Sequence, residues 1–287
     1  MPAKPHPATA SPARVAPLPE GHVEEALGFL GERPLHTVIM AGLLREHGPT
    51  VPSPQGTFYG CRERRGRLEG VALIGRATMF EARTEAALAA FAGLARQDSS
   101  VRMIMGEESE LKRFLSHYAA DNKSPRRACS ELFYQFARGA GEDAEGISGL
   151  RQATSDHLDK IVKAHAEMCE EETGQNPLET DPEGFRLRCA ARVEQGRVWA
   201  LIENGELIFK ADIITETPEA AYLEGVWVSP SRRQEGYGRR CWAQLSRTLL
   251  SRVPSLCGFA NVRNSAALSF YERVGGALLG RYDKVYL

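Results

Sequence analysis
Residues 222–240, Y-L-E-G-V-W-V-S-P-S-R-R-Q-E-G-Y-G-R-R, limit the fold more than any other stretch of the chain. Residues 222–228 are rich in aromatic and β-branched side chains, which suits a half-buried strand. Ser229-Pro230 ends it, because proline has no N–H for a ladder and steers the residue before it away from helix. The loop Arg233-Gln234-Glu235-Gly236-Tyr237-Gly238 follows, and then Trp242, Leu245 and Leu249 at helical spacing. A strand, a glycine loop and a helix start in that order can turn several backbone N–H groups, and the positive end of a helix dipole, toward one point. Four arginines, Arg232, Arg233, Arg239 and Arg240, flank the loop. The combination predicts an anion site for a phosphate or pyrophosphate. The plainer alternative is a strand–helix turn with surface arginines.

No Gly-Lys-Ser/Thr follows, which excludes the nucleotide phosphate loop, and G-x-G-x-x-G is absent. The loop does resemble the Arg/Gln-x-x-Gly-x-Gly/Ala element of the GNAT acetyltransferases, with Arg233, Gly236 and Gly238 at its defined positions. The V-W-V-S-P strand before it and N-x-x-N-x-x-A-x-x-F-Y-E-R-x-G-G, starting at Asn261, extend the resemblance downstream. It implies an α/β (α+β) fold with a mixed central sheet flanked by helices, acetyl-CoA as co-substrate, and acetyl transfer to a primary amine. Arg233, Gln234, Glu235, Gly236, Tyr237, Gly238 and Arg239 would hold the pyrophosphate. In this family the preceding strand splays from its neighbour, so the backbone N–H groups of Val226, Trp227 and Val228 would meet the pantetheine arm and the thioester oxygen.

The same resemblance carries roles to single side chains. Tyr271 takes the place of a tyrosine near the CoA sulfur, where a phenol of pKa about 10 can give a proton to a thiolate of about 8.5; as a core aromatic it would do nothing of the kind. Gly276 stands where the family usually has phenylalanine. Asn264 either contacts the pantetheine arm or caps a helix. Glu224 interrupts an otherwise apolar strand, and alternation would put it on one face with Tyr222, Val226 and Val228. It is the candidate base, against the alternative of an ion-paired strand residue. The segment between the first two helices of the second half carries Glu167, Glu170, Glu171, Glu172, Glu179, Asp181 and Glu183 and no basic residue. It reads as a solvated loop or as an acidic mouth for a cationic amine.

A chain of 287 residues allows about two domains. We expect a Pro/Ala-rich disordered tail over residues 1–17, an N-terminal α/β domain over 18–138, a glycine-rich linker over 139–149 and the catalytic domain over 150–287. The order of expected elements in 150–287 matches the GNAT fold. The first half has a similar, vaguer order without the loop near residues 77–83, so it resembles a degenerate copy in a tandem-GNAT chain; an unrelated α/β domain is the alternative. The net charge of −1 gives no field for nucleic acid or anionic membrane. No apolar run is long enough to span a membrane, and a cytoplasmic protein is expected. The six cysteines form no C-x-x-C pair, and no metal-ligand spacing occurs among the histidines. Two rivals remain: a non-catalytic acyl-CoA-binding module, or transfer of another acyl group on the same fold.

Overall fold
The computed structural model describes residues 14–51, 56–118, 127–139 and 144–287. In chain order the first half runs β1 (Arg14–Pro17), α1 (Val23–Leu30), α2 (Val38–His47), β2 (Thr50–Val51), β3 (Gly56–Arg62), β4 (Leu68–Ile74), β5 (Ala77–Ala82), α3 (Glu85–Gln97), β6 (Met103–Glu107), α4 (Glu108–Tyr118) and β7 (Arg127–Ala137). The second half runs β8 (Arg151–Gln152), α5 (Leu158–Thr173), α6 (Pro177–Thr180), α7 (Pro182–Glu194), β9 (Val198–Glu203), β10 (Glu206–Glu216), β11 (Ala221–Val228), α8 (Tyr237–Leu250), β12 (Ser255–Asn261), α9 (Ser265–Arg273) and β13 (Ala277–Tyr286).

These elements gather into two units. One runs to Arg33, resumes over Leu43–Cys129 and takes in Tyr282–Leu287; the other holds Pro34–Gly42 and Ser130–Arg281. In the first, β3, β4 and β5 form an antiparallel meander, β5 runs parallel to β6 across α3, and β6 pairs antiparallel with Tyr282–Tyr286 of β13. Its core joins Phe91 of α3, Phe114 of α4, Ile74, Ile104 and Val285. In the second, β9, β10 and β11 form the meander, β11 runs parallel to β12 across α8, and β12 pairs antiparallel with β7. Its main core joins Trp242, Leu245 and Leu249 of α8 to Phe136, Phe209, Leu223 and Tyr271. The two units therefore repeat one strand order. The closing strand of each is the one that follows the other unit's last helix.

Several sequence expectations change here. Arg14–Pro17 is a strand, paired Arg14↔Arg62 through Pro17↔Tyr59, not a tail; it is an edge strand, where a proline's missing N–H is tolerated. Residues 1–13 lie outside the described residues. The stretch expected as a linker at 139–149 packs: Ile147 is buried in the second unit's core, with 140–143 outside the described residues. The boundary near 138 does not follow the units, because Ser130 onward of β7 belongs with the second. Near residues 77–83, where the sequence lacks the cofactor loop and no element is assigned from sequence, Ala77–Ala82 form strand β5.

Candidate active site
Strand β11 begins in register with β12, Ala221↔Leu256 and Tyr222↔Cys257. Beyond that point β12 continues along β7 as far as Asn261↔Glu131, while β11 follows β10 to Phe209↔Val228. The two strands thus part after Tyr222 and leave a fork. At its apex, a Cβ on Gly258 of β12 would stand 3.2 Å from the Tyr271 hydroxyl and 3.1 Å from the Leu223 carbonyl oxygen. The tyrosine of α9 therefore reaches the point where β11 leaves its neighbour. Its ring is held edge-on by Tyr134 and Phe136 at centroid distances of 5.4 and 5.1 Å.

A bulge shapes β11 inside the fork. Asp212 pairs with Glu224 and Lys210 with Trp227, so two steps on β10 oppose three on β11. Gly225 makes the bulge at φ +64, a value open to glycine at little cost. The extra residue changes the side-chain alternation. Leu223, Val226 and Val228 all pack toward the core beneath α8, whereas Trp227 packs with Ile161 and Ala164 of α5. Glu224 accepts a hydrogen bond from the buried Tyr222 hydroxyl. The expectation that Glu224 shares a face with Val226 and Val228 is therefore corrected: it shares one with Tyr222, on the side opposite α8.

After β11, the turn Pro230–Arg232 leads into Arg233, extended, and Gln234, left-handed at φ +67. Gly236, at φ +84, is the residue before α8, and no side chain caps that helix. The N–H groups of its first turn are those a helix leaves unmade. Gly238 sits close under the strand end, where a Cβ would meet Val228 Cγ2 at 3.2 Å. Arg233 folds back, Nε donating to the Val228 carbonyl at 3.2 Å, and is exposed. Arg232 is engaged elsewhere: Nε donates to Glu235 at 2.9 Å, and its guanidinium lies 4.7 Å from the Tyr237 ring centroid. Tyr237 in turn donates to Glu203 at 2.8 Å. The arginine charge counted in the sequence is thus partly neutralised in place, while Arg239 is exposed on the first turn of α8.

Asn264 accepts from the Ala267 N–H at 3.0 Å and is the N-cap of α9. Asn264→Ala should lower stability by about 1 kcal/mol. If capping is its whole role, acetyl-CoA affinity of the folded variant, read by calorimetry, will match wild type.

Electrostatics converge on the fork. Burial pushes the Tyr271 phenol well above its ordinary value, and the carboxylates of Glu224, Glu172 and Glu131 push the same way. Burial also raises the Cys257 thiol to about 12, so it is neutral at working pH and a poor nucleophile. Glu131, Tyr222 and the polar pair Lys210 and Asp212 on β10 were not singled out from sequence. The last pair had a signal: two charged residues inside the apolar run L-I-F-K-A-D-I-I. Among the described residues no group of His, Cys, Asp and Glu is arranged to hold a metal ion. Nor is any helix there long and apolar enough to cross a membrane.

A strand fork closed by a tyrosine, with an uncapped glycine-led helix beside it, is the arrangement the sequence resemblance implied. Residues 162–276 match the family model described as the acetyltransferase (GNAT) family. The second half of the chain carries a GNAT-family domain. Solved structures extend the likeness of fold through both units. A Drosophila protein from a structural-genomics programme aligns with a TM-score of 0.69 at 14% identity, over 95% of this chain and 98% of its own. A tandem GNAT protein from the clavulanic acid biosynthesis pathway aligns at 0.61 and 12%, over 96% and 98%. A GNAT-family acetyltransferase from Colwellia psychrerythraea aligns at 0.56 and 14%, over 96% and 99%. No curated protein matches the sequence. The GNAT fold therefore spans nearly the whole chain, and the family match lies in its second half.

Proposed function
We propose that the second unit is an acetyl-CoA-dependent N-acetyltransferase that moves the acetyl group to a primary amine by direct attack within a ternary complex. The observation that carries this reading is the fork between β11 and β12 with the Tyr271 hydroxyl at its apex. The pyrophosphate would lie on the amides of Arg233, Gln234, Glu235, Gly236, Tyr237, Gly238 and Arg239, at the uncapped start of α8. The pantetheine arm would enter the fork along Val226, Trp227 and Val228, beside Asn264, and a backbone N–H there would receive the negative charge developing on the thioester oxygen. Tyr271 would meet the departing thiolate from the α9 side. Glu224, on the opposite face, would take the amine proton. The elevated thiol of Cys257 favours direct attack over a covalent cysteine intermediate.

The acceptor would arrive on the α5 side. The last turn of α5 holds Glu170, Glu171 and Glu172 and no basic residue. Negative charge at a helix C-terminus opposes the helix dipole, by about 0.3–1 kcal/mol each when exposed. A local rule broken three times in a row is most economically explained by function, here attraction of a cationic amine. The first unit, in this reading, is a degenerate copy without cofactor chemistry. Its equivalent helix, α3, follows β5 after only Arg83 and Thr84, and the Thr84 hydroxyl accepts from the Ala87 N–H at 3.3 Å. The positive helix end used for phosphate in the second unit is there filled by the chain's own side chain. We place the protein in the cytoplasm.

Calorimetric titration of acetyl-CoA into the full chain tests the reading, followed by a donor and amine panel. Micromolar binding with turnover on amines is expected. Binding without turnover on any amine would leave an acyl-CoA-binding module instead, and no binding would overturn the cofactor site itself.

A further inference from the structure
Behind the bulge lies a charged cluster that the acetyl-transfer chemistry does not use. Lys210 and Asp212 of β10 are fully buried in a strand otherwise apolar from Leu207 to Ile213. Lys210 Nζ donates to Asp212 Oδ1 at 2.8 Å and to the Gly225 carbonyl at 3.1 Å. Asp212 Oδ2 takes Arg192 from α7 at 3.1 Å, and His165 Nδ1 from α5 lies 3.4 Å away. Burial would raise the Asp212 carboxyl, but Lys210, His165 and Arg192 outweigh it and keep the group ionised. A buried ion pair is seldom retained for stability, since apolar replacements of similar volume often do as well or better. Its geometry offers another reason. A Cβ on residue 225 would fall 2.8 Å from Lys210 Nζ, so a side chain there would push the ammonium from its place at the bulge.

We propose that Lys210, held by Asp212, is a positioning residue that aims the Val226 amide at the acyl oxygen of the cofactor. In a trans peptide the C=O and the following N–H point in opposite directions. Drawing the Gly225 carbonyl to Lys210, on the α5 and α7 side of the sheet, turns the Val226 N–H to the side that carries α8, α9 and Tyr271. The ammonium also polarises that peptide, which makes its N–H a stronger donor. The proposal rests on the cofactor reading above and adds the origin of the amide's direction.

Two measurements decide it. In the wild-type chain, the Val226 amide proton resonance should shift more on saturation with acetyl-CoA than with CoA, which has no acyl oxygen. Equal shifts overturn the proposal, and need no variant to fold. The double substitution Lys210→Met with Asp212→Leu removes both fully buried charges together, and Arg192, which loses its Asp212 partner, is partly exposed to solvent. It should keep its thermal midpoint and its KM for acetyl-CoA within about twofold, while kcat falls at least about tenfold. An unchanged kcat, or a loss that follows KM and stability alone, overturns the positioning role. If wild type binds no acetyl-CoA, the cofactor reading fails first and this inference with it.

Discussion
Arg233→Glu combined with Gly236→Glu will cost acetyl-CoA at least a hundredfold in affinity and leave the fold standing. Gly236 sits at φ +84, and a side chain there costs about 1–2 kcal/mol of backbone strain. Nothing lies within 4 Å of a Cβ at that position, so the cost is conformational and not a clash. A carboxylate before the first turn of α8 is even favourable for the helix dipole. It occupies, with negative charge, the place proposed for the pyrophosphate. Arg233→Glu reverses a positive charge and frees the Val228 carbonyl, to which Arg233 Nε now donates at 3.2 Å. One charge reversal and one added negative charge beside a doubly charged ligand correspond to several kcal/mol at short range, and each 1.4 kcal/mol is a factor of ten. Calorimetry beside circular dichroism reads both halves of the statement. Wild-type affinity in the folded double variant would mean that the loop is a turn and nothing more.

What the chain disclosed in advance, and what it withheld, divides along physical lines. The meander, α8 and α9 were legible because side-chain periodicity and capping are local: Asn-Gly at 204–205 marks the β9–β10 hairpin, and Asn264 caps α9 as its type predicts. The loop before α8 was legible because glycine at fixed spacing has few uses. The bulge was not drawn, although Gly225 inside a strand is its usual signal, and the omission put Val226 and Val228 on the face of Glu224. Strand β5 was missed because its six residues, A-T-M-F-E-A, do not alternate cleanly in burial. The exchange of closing strands could not be read at all, because β7 and β13 look alike as local patterns and only long-range pairing decides which sheet receives each. The Lys210–Asp212 pair was visible as composition, but its partner is a carbonyl, and no side-chain pattern encodes where a carbonyl points.

Tyr271→Phe will separate chemistry from binding. The substitution keeps the ring and therefore its packing against Tyr134, Phe136 and Trp242, so stability and acetyl-CoA affinity should change little. It removes one hydroxyl at the apex of the fork. General acid assistance contributes about a hundredfold or more, and kcat should fall by about that factor with KM nearly constant. The pH dependence sharpens the test. Burial, reinforced by Glu224, Glu172 and Glu131, raises the phenol's pKa in the folded protein. A group with a raised pKa stays protonated below it, so Tyr271 remains a donor throughout the neutral and mildly alkaline range. No alkaline loss of rate below the ordinary tyrosine value should then be traceable to it, and the Phe variant should lower the whole profile without moving its limbs. The same elevation makes full proton release to a free thiolate uphill, so in the proposed role the hydroxyl would act chiefly by hydrogen-bonding the sulfur as charge builds there. Glu224→Gln should behave differently. With the proton acceptor gone, the rate should be recovered in part as pH rises and the free-amine fraction of the acceptor grows. If both variants lower the rate by one pH-independent factor, Glu224 is not the base and its bond from Tyr222 is structural. If neither variant lowers it, the fork binds the cofactor but these two side chains do not carry the transfer.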